Sequence, residues 1–203
     1  MFSAAILIGG KATRFEGRDK SSLIVEGQTI LSRQLAALSD VASDVMLVGP
    51  STPPGEVEGS LRASGLPRHV ADIMPGCGPL SGIHAALSAA RGDATLMLAC
   101  DMPFVSTPLL RHLVSLADHA DIVVPQTERG YHPLCAVYSR ACLEPAARRI
   151  ARGEFMLTAL VDEMRVRVVT ADALEAFGDP DRLLANVNTS IEYRAIEANG
   201  MQS

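Results

Sequence analysis

A loop near the start of the chain combines glycine with positive charge. Gly9 and Gly10 follow a short apolar run, and four cations come next: Lys11, Arg14, Arg18 and Lys20. Glycines let the backbone turn tightly and bring its N–H groups against a ligand, while the cations are within reach of a polyphosphate. We therefore interpret this loop as a binding site for a nucleoside triphosphate.

Two common phosphate-binding motifs do not describe this loop. The dinucleotide fingerprint G-x-G-x-x-G fails because Lys11 stands at its second glycine, and the Walker A spacing is absent. The Lys20-Ser21 pair alone is not a P-loop. An ordinary glycine turn with solvated basic residues remains the alternative interpretation.

Further candidates follow other apolar runs. The segment Cys100-Asp101-Met102-Pro103 comes directly after residues 94–99, ATLMLA, and there the Asp101 carboxylate could offer a hard oxygen ligand to Mg²⁺ on phosphate oxygens. Its alternative role is to cap the turn before Thr107, which we predict as a helix N-cap. Residues 72–82, DIMPGCGPLSG, delay the start of a helix whose N–H groups and Ser81 could meet a ligand or serve the helix alone.

Two later segments carry polar side chains in extended backbone. His132 precedes a proline, which favours an extended conformation and could present its imidazole to a second substrate. Asn186 and Asn188 are separated by one residue and could point the same way. A satisfied loop histidine and a pair of turn-forming asparagines are the alternatives.

Apolar periodicity predicts the elements that position these residues. Short continuous apolar runs predict buried strands at 2–8, 45–48, 94–99, 121–124 and 166–169. Helical periods lie between them, as in Leu31, Leu35 and Leu38. This alternation predicts a single-domain α/β fold over residues 1–198, with three α/β/α layers around a mostly parallel sheet, and a flexible tail at 199–203. Ligands of such sheets bind at the carboxyl ends of the strands.

Composition excludes several classes of protein. The chain has 203 residues, is 48% hydrophobic and carries a net charge of −5, which argues against binding nucleic acid through a basic surface. We expect neither a membrane-spanning segment nor a signal peptide, because the apolar run at residues 2–8 is very short and no other apolar stretch is long enough to span a membrane. The four cysteines lack metal or disulfide spacing, so we expect reduced thiols and a cytoplasmic protein.

Taken together, the segments LIGGKATRFEGRDK, GCGPLSGI, ACDMP, HPL and NVNT occur in an order that resembles the molybdenum cofactor guanylyltransferase (MobA) family of nucleotidyltransferases. The resemblance implies a Rossmann-like fold and transfer of GMP from Mg-GTP to the terminal phosphate of molybdopterin, with release of pyrophosphate. It implies Mg²⁺ as the cofactor, with Mn²⁺ as a substitute. It also implies transient contact with other cofactor-biosynthesis proteins or molybdoenzyme chaperones.

The resemblance assigns roles residue by residue. The residues implied to bind the nucleotide are Leu7, Ile8, Gly9, Gly10, Lys20, Asp72 and Asp101. Those implied in catalysis are Arg14, Lys20 and Asp101, of which Asp101 would bind the metal. Those implied to face the pterin substrate are Gly78, Pro79, Ser81, His132, Asn186 and Asn188.

Three positions depart from the family pattern. Ile8 replaces a small residue and could crowd the base, Glu16 replaces a glycine beside the triphosphate loop, and Gly49 replaces an asparagine. Two alternatives stay open: a pterin cytidylyltransferase or another nucleotidyltransferase, and a non-catalytic protein that binds GTP or the cofactor during enzyme maturation.

Overall fold

A mixed β-sheet forms the centre of the protein. The computed structural model describes residues 1–9, 22–51, 67–72, 74 and 77–187. Its strands are β1 (Phe2–Leu7), β2 (Ile24–Val25), β3 (Gln28–Thr29), β4 (Asp44–Gly49), β5 (Arg68–Ala71), β6 (Ala94–Ala99), β7 (Ile122–Thr127), β8 (Gly130–Tyr131), β9 (Cys135–Ser139) and β10 (Val166–Val169). The main sheet has the order β10-β7-β9-β6-β1-β4-β5, with β8 paired to β7, while β2 and β3 form a separate hairpin.

Helices cover both faces of this sheet. They are α1 (Ile30–Leu38), α2 (Pro79–Ala89), α3 (Thr107–Ser115), α4 (Leu143–Ala151), α5 (Leu157–Glu163), α6 (Ala171–Leu174) and α7 (Pro180–Leu183). Alternate residues of β1 serve the two sides. Ala4 and Ile6 pack in a cluster with Leu31, Ala37 and Leu38 of α1 and the buried leucines of α3, whereas Ala5 packs in the cluster of α2, α4 and α5. The predicted three-layer α/β/α fold is therefore confirmed.

All five predicted strands are present, and the observed sheet is mostly parallel, as predicted. Five other strands, β2, β3, β5, β8 and β9, were not predicted. Of these, β5 pairs parallel to β4, whereas β9 runs antiparallel between β6 and β7. The predicted N-cap of α3 was wrong by one residue. Ser106 occupies that position, and the Thr107 hydroxyl instead donates to the carbonyl oxygen of Ala37 at 3.0 Å, which joins α3 to α1.

The strand directions bring several loops to one edge. Strands β1, β4, β5, β6 and β7 all run the same way, so their carboxyl ends share this edge. Since β9 runs in the opposite direction, the segment that precedes it lies there too. Within the described residues, none of the helices is long and apolar enough to cross a membrane.

The opposite edge is fastened by a buried carboxylate. Asp44, at the start of β4, is 4% exposed and accepts hydrogen bonds from the Ser3 hydroxyl at 2.7 Å and from Arg68 Nε at 2.8 Å. The backbone N–H of Arg91 donates to it at 3.2 Å. The Arg68 guanidinium, assisted by Ser3, lowers the pKa of Asp44 from 3.8 to about 2 despite its burial.

We predict that Asp44→Asn destabilises the protein by about 2 kcal/mol at neutral pH, because the lowered pKa stabilises the fold wherever Asp44 is ionised. This contribution is complete above about pH 4 and is lost as the pH falls through about 2. Urea unfolding of both proteins between pH 2 and pH 7 would measure it. The exposed Asp93 supplies the control Asp93→Asn, and equal stability of wild type and Asp44→Asn at pH 7 would contradict the account.

Candidate functional site

The carboxyl edge of the sheet aligns the ends of four strands. The Ile8 N–H donates to the Val48 oxygen at 2.8 Å, and the Cys100 N–H donates to the Leu7 oxygen at 3.2 Å. On the other side of β4, the Asp72 N–H donates to the Gly49 oxygen at 2.7 Å. The segments that begin at Ile8, Asp72 and Cys100 therefore leave the sheet side by side.

Asp101 lies at this edge and is held from the C-terminal side of the chain. The residue is 9% exposed, and its Oδ1 accepts a hydrogen bond from Asn186 Nδ2 at 2.8 Å. Its carbonyl oxygen accepts from the Val187 N–H, also at 2.8 Å. Two of the predicted site residues, Asp101 and Asn186, are thus in direct contact although 85 positions separate them.

Helix α1 holds the same loop from the other side. Gln34 is fully buried, and its Nε2 donates to the carbonyl oxygens of Ala99 at 2.7 Å and Met102 at 3.0 Å. Arg33 Nε donates to the Pro103 oxygen at 2.9 Å. Neither residue was predicted to serve the site. A signal existed, because Gln34 is the polar member of the otherwise apolar face formed by Ile30, Leu31, Ala37 and Leu38.

Asp72 is held by the start of α2. The Ser81 hydroxyl lies 2.6 Å from both carboxylate oxygens of Asp72, and the Met74 N–H donates to Oδ1 at 3.0 Å. Ser81 is 1% exposed, so its hydroxyl serves the protein interior and fixes Asp72. The α2 helix begins with Gly78 as its N-cap and Pro79 in its first turn, and both residues are exposed.

His132 belongs to the β7–β9 connection. Its Nε2 lies 2.8 Å from the Thr127 hydroxyl, and its N–H donates to the Pro125 oxygen at 2.9 Å. Burial lowers the pKa of His132, and nearby Arg129 lowers it further while Asp181 opposes the shift. The imidazole is therefore neutral at pH 7, where it can offer a hydrogen bond but no positive charge.

The β2–β3 hairpin, which comes shortly after residues 10–21 in the chain, packs against the C-terminal segment. Leu23, Val25 and Ile30 are buried with Val187, and Phe104 packs against them. Glu26 forms ion pairs with Arg33 at 3.0 Å and Arg182 at 2.8 Å. Each is partly solvated and contributes little alone, so the apolar cluster supplies most of the attachment.

Close backbone approach explains the glycines at this edge. A Cβ on Gly49 would lie 2.4 Å from the Ile8 carbonyl oxygen, and Gly9 has φ +101° with a Cβ position 3.0 Å from Pro50 Cδ. The Ile8 side chain is 5% exposed and packs in the core beneath α1, while Leu7 packs towards Gly82 of α2. At the carboxyl edge of the sheet, Leu7 and Ile8 therefore present mainly backbone atoms.

Four predicted site residues, Gly10, Arg14, Lys20 and Asn188, lie outside the described residues. Among the residues that are described, no three side chains of His, Cys, Asp or Glu gather into a metal site. Asp101 nevertheless suits Mg²⁺, which often takes one or two protein carboxylates and completes its shell with water and substrate phosphates. All four cysteines are free thiols.

Comparisons with known proteins cover almost the whole chain. The family model described as "MobA-like NTP transferase domain" matches residues 4–185. The molybdenum cofactor guanylyltransferase of Desulfosudis oleivorans is 35% identical over 196 residues, which cover 95% of this chain and 93% of that protein. A probable molybdenum cofactor guanylyltransferase of Pelotomaculum thermopropionicum is 34% identical, covering 92% and 87%.

A solved structure supports the fold. The molybdopterin-guanine dinucleotide biosynthesis protein A of Archaeoglobus fulgidus superposes with a TM-score of 0.79 at 23% identity, covering 99% of this chain and all of that one.

We predict that Gly49→Asn, although it introduces the residue usual in the resembling family, destabilises the protein by about 1–3 kcal/mol because its Cβ overlaps the Ile8 carbonyl. Thermal unfolding would measure the loss. Ile8→Ala should not rescue it, since the closest obstructing atom belongs to the backbone. A Gly49→Asn variant as stable as the wild type would refute this explanation.

Proposed function

The chain belongs to the MobA-like NTP transferase family, and from that premise we propose that it transfers GMP from GTP to the terminal phosphate of molybdopterin. The reaction releases pyrophosphate and forms the guanine dinucleotide of the cofactor. One observation carries the proposal: its similarity to guanylyltransferases extends over nearly the full length of both chains. The chain is accordingly a nucleotidyltransferase, and we place its action in the cytoplasm, where GTP is available.

The proposed chemistry requires positioning more than proton transfer. A terminal phosphate oxygen attacks the α-phosphorus of GTP, the new P–O bond forms, and the bond to the β-phosphate oxygen breaks to release pyrophosphate. The nucleophile is already an anion, so no strong general base is needed. Two anions must be brought together, and charge screening lowers the barrier that opposes them.

Different residues would supply the metal site, the positive charge and the nucleotide contacts. Asp101 would hold Mg²⁺, which screens the phosphate oxygens when it is bound. Lys20 and Arg14 would add positive charge from the opening loop, and Asp72 would hold the nucleoside. The backbone of Leu7, Ile8, Gly9 and Gly10 would line the nucleotide, consistent with the buried Ile8 side chain.

The pterin would lie against the remaining predicted residues. Gly78 and Pro79 offer exposed surface at the start of α2, and neutral His132 offers a hydrogen bond without charge. Ser81 and Asn186 act on this side through Asp72 and Asp101, the carboxylates that they contact. Asn188 completes the proposed set. Contacts with other cofactor-biosynthesis proteins or molybdoenzyme chaperones would serve to deliver the product.

The test is Mg²⁺-dependent pyrophosphate release by the purified protein, with molybdopterin present or absent and GTP, CTP, ATP or UTP supplied singly. We expect release only with molybdopterin, and fastest with GTP. A preference for CTP would change the product to the cytosine dinucleotide. Nucleotide or pterin binding without release under any condition would favour a non-catalytic binding protein.

We predict that Asp101→Asn lowers turnover at least about 100-fold, because it removes the negative charge that would hold the metal. The fold should be retained, because asparagine has nearly the same shape and keeps an oxygen that can accept the hydrogen bond from Asn186. Steady-state pyrophosphate release and circular dichroism would measure the two effects. Asp118→Asn, a change of the same kind at an exposed position, should have wild-type activity. Undiminished turnover of Asp101→Asn would remove Asp101 from the mechanism.

We also predict that Lys20→Ala raises the KM for GTP and lowers kcat together, because a cation near the leaving pyrophosphate acts most strongly in the transition state. Initial rates over a range of GTP concentrations would separate the two parameters. If both parameters stay at their wild-type values, the screening role passes to Lys11 or Arg18.

A further inference from the structure

We propose that Asn186 and Gln34 are positioning residues that hold the Asp101 carboxylate in one orientation for a divalent cation. This inference rests on the proposed function, in which Asp101 is the metal ligand. Asn186 would orient the carboxylate, and Gln34 would hold the loop that carries it. This role of Asn186 does not depend on contact with the pterin.

Asn186 acts on the carboxylate itself. The terminal torsion of an aspartate is broad, so an unrestrained carboxylate samples many rotations. The 2.8 Å hydrogen bond from Asn186 Nδ2 to Asp101 Oδ1 favours one of them. A group that orients a metal ligand in this way contributes to metal affinity although it does not touch the metal.

The position of Asn186 is itself fixed. The next residue, Val187, is fully buried in the cluster of the β2–β3 hairpin, and its N–H donates to the Asp101 carbonyl oxygen at 2.8 Å. The preceding helix α7 is joined to the same hairpin by the ion pair between Arg182 and Glu26. The amide donor therefore comes from an anchored segment.

Gln34 acts on the backbone that carries Asp101. Its Nε2 bridges the carbonyl oxygens of Ala99 and Met102, which lie on either side of Asp101 in the chain. Its Oε1 is buried and has no hydrogen-bond partner among the described residues. A methionine or leucine would fill this core position without an unsatisfied oxygen, so the glutamine is unfavourable for packing alone. The hydrogen bonds of Gln34 to the two loop carbonyls explain why an amide occupies this position. A polar residue in an otherwise apolar core is expected mainly near a functional site.

The experiment measures metal binding without turnover. Mn²⁺ is titrated by electron paramagnetic resonance into the full chain with the α,β-methylene analogue of GTP present and molybdopterin absent. The variants are Asn186→Ala, Gln34→Met and the reference Asp101→Asn. The matched control is Thr107→Val, which removes the hydrogen bond from the Thr107 hydroxyl to the Ala37 carbonyl oxygen, a bond between α3 and α1 that does not involve residues 99–103.

We expect Asn186→Ala to weaken Mn²⁺ binding by about 10-fold or more, the range found when groups behind metal ligands are removed. Gln34→Met should weaken it several-fold, and Thr107→Val should bind as the wild type does. Metal-free affinity for the GTP analogue should be unchanged in Asn186→Ala. A residue that served only the pterin, or only stability, would leave the Mn²⁺ affinity of the folded protein unaltered.

Two outcomes would overturn the proposal, and they are distinguishable. Wild-type Mn²⁺ affinity in Asn186→Ala, with binding lost in Asp101→Asn, would show that Asp101 binds metal without this support. Wild-type Mn²⁺ affinity in Asp101→Asn would refute the metal role of Asp101 in the proposed function. It would also refute the positioning role of Asn186 and Gln34, which depends on that metal role. Because Asn186 is half-buried and Gln34 is in the core, Asn186→Ala decides the matter even if Gln34→Met fails to fold.

Discussion

The site depends on how the protein satisfies the backbone carbonyls of the turn after β6. A chain that leaves a buried strand and reverses direction exposes polar groups that need hydrogen-bond partners. Here Gln34 binds two carbonyls, Arg33 binds a third, and the Val187 N–H binds that of Asp101. Donors from α1 and from the C-terminal segment thus converge on one short loop, and they fix the place from which Asp101 projects.

The two edges of the sheet hold their carboxylates differently. Asp44 accepts hydrogen bonds from Arg68, Ser3 and Arg91, and its charge is compensated within the fold. Asp72 and Asp101 lie at the carboxyl edge, where Ser81 and Asn186 supply neutral hydrogen bonds that orient them. In the proposed function these two oriented carboxylates recognise the nucleoside and the cation.

The sequence predicted this architecture because its strands are continuous apolar runs separated by helical periods. It did not reveal β5, whose residues Arg68–Ala71 include an arginine and a histidine and so do not form a continuous apolar run. It also did not reveal β9, whose antiparallel position between β6 and β7 depends on distant partners. Asp72, Asp101 and Asn186 were identifiable as candidates from motif and position. Their contacts were not, because Ser81 is nine positions from Asp72 and Asn186 is 85 positions from Asp101, and no local sequence pattern specifies such pairs. Gln34 was missed because a polar residue on an apolar helix face acquires meaning only when its carbonyl partners, 65 and 68 positions away, are known.

The most direct test of the account is a crystal structure of the protein with Mn²⁺ and the α,β-methylene analogue of GTP, read from the anomalous signal of the manganese. The account predicts manganese coordinated by the Asp101 carboxylate and by phosphate oxygens, with Asn186 still donating to Asp101 and Gln34 still bridging Ala99 and Met102. Manganese bound away from Asp101, or a nucleotide bound elsewhere than the carboxyl edge of the sheet, would contradict it.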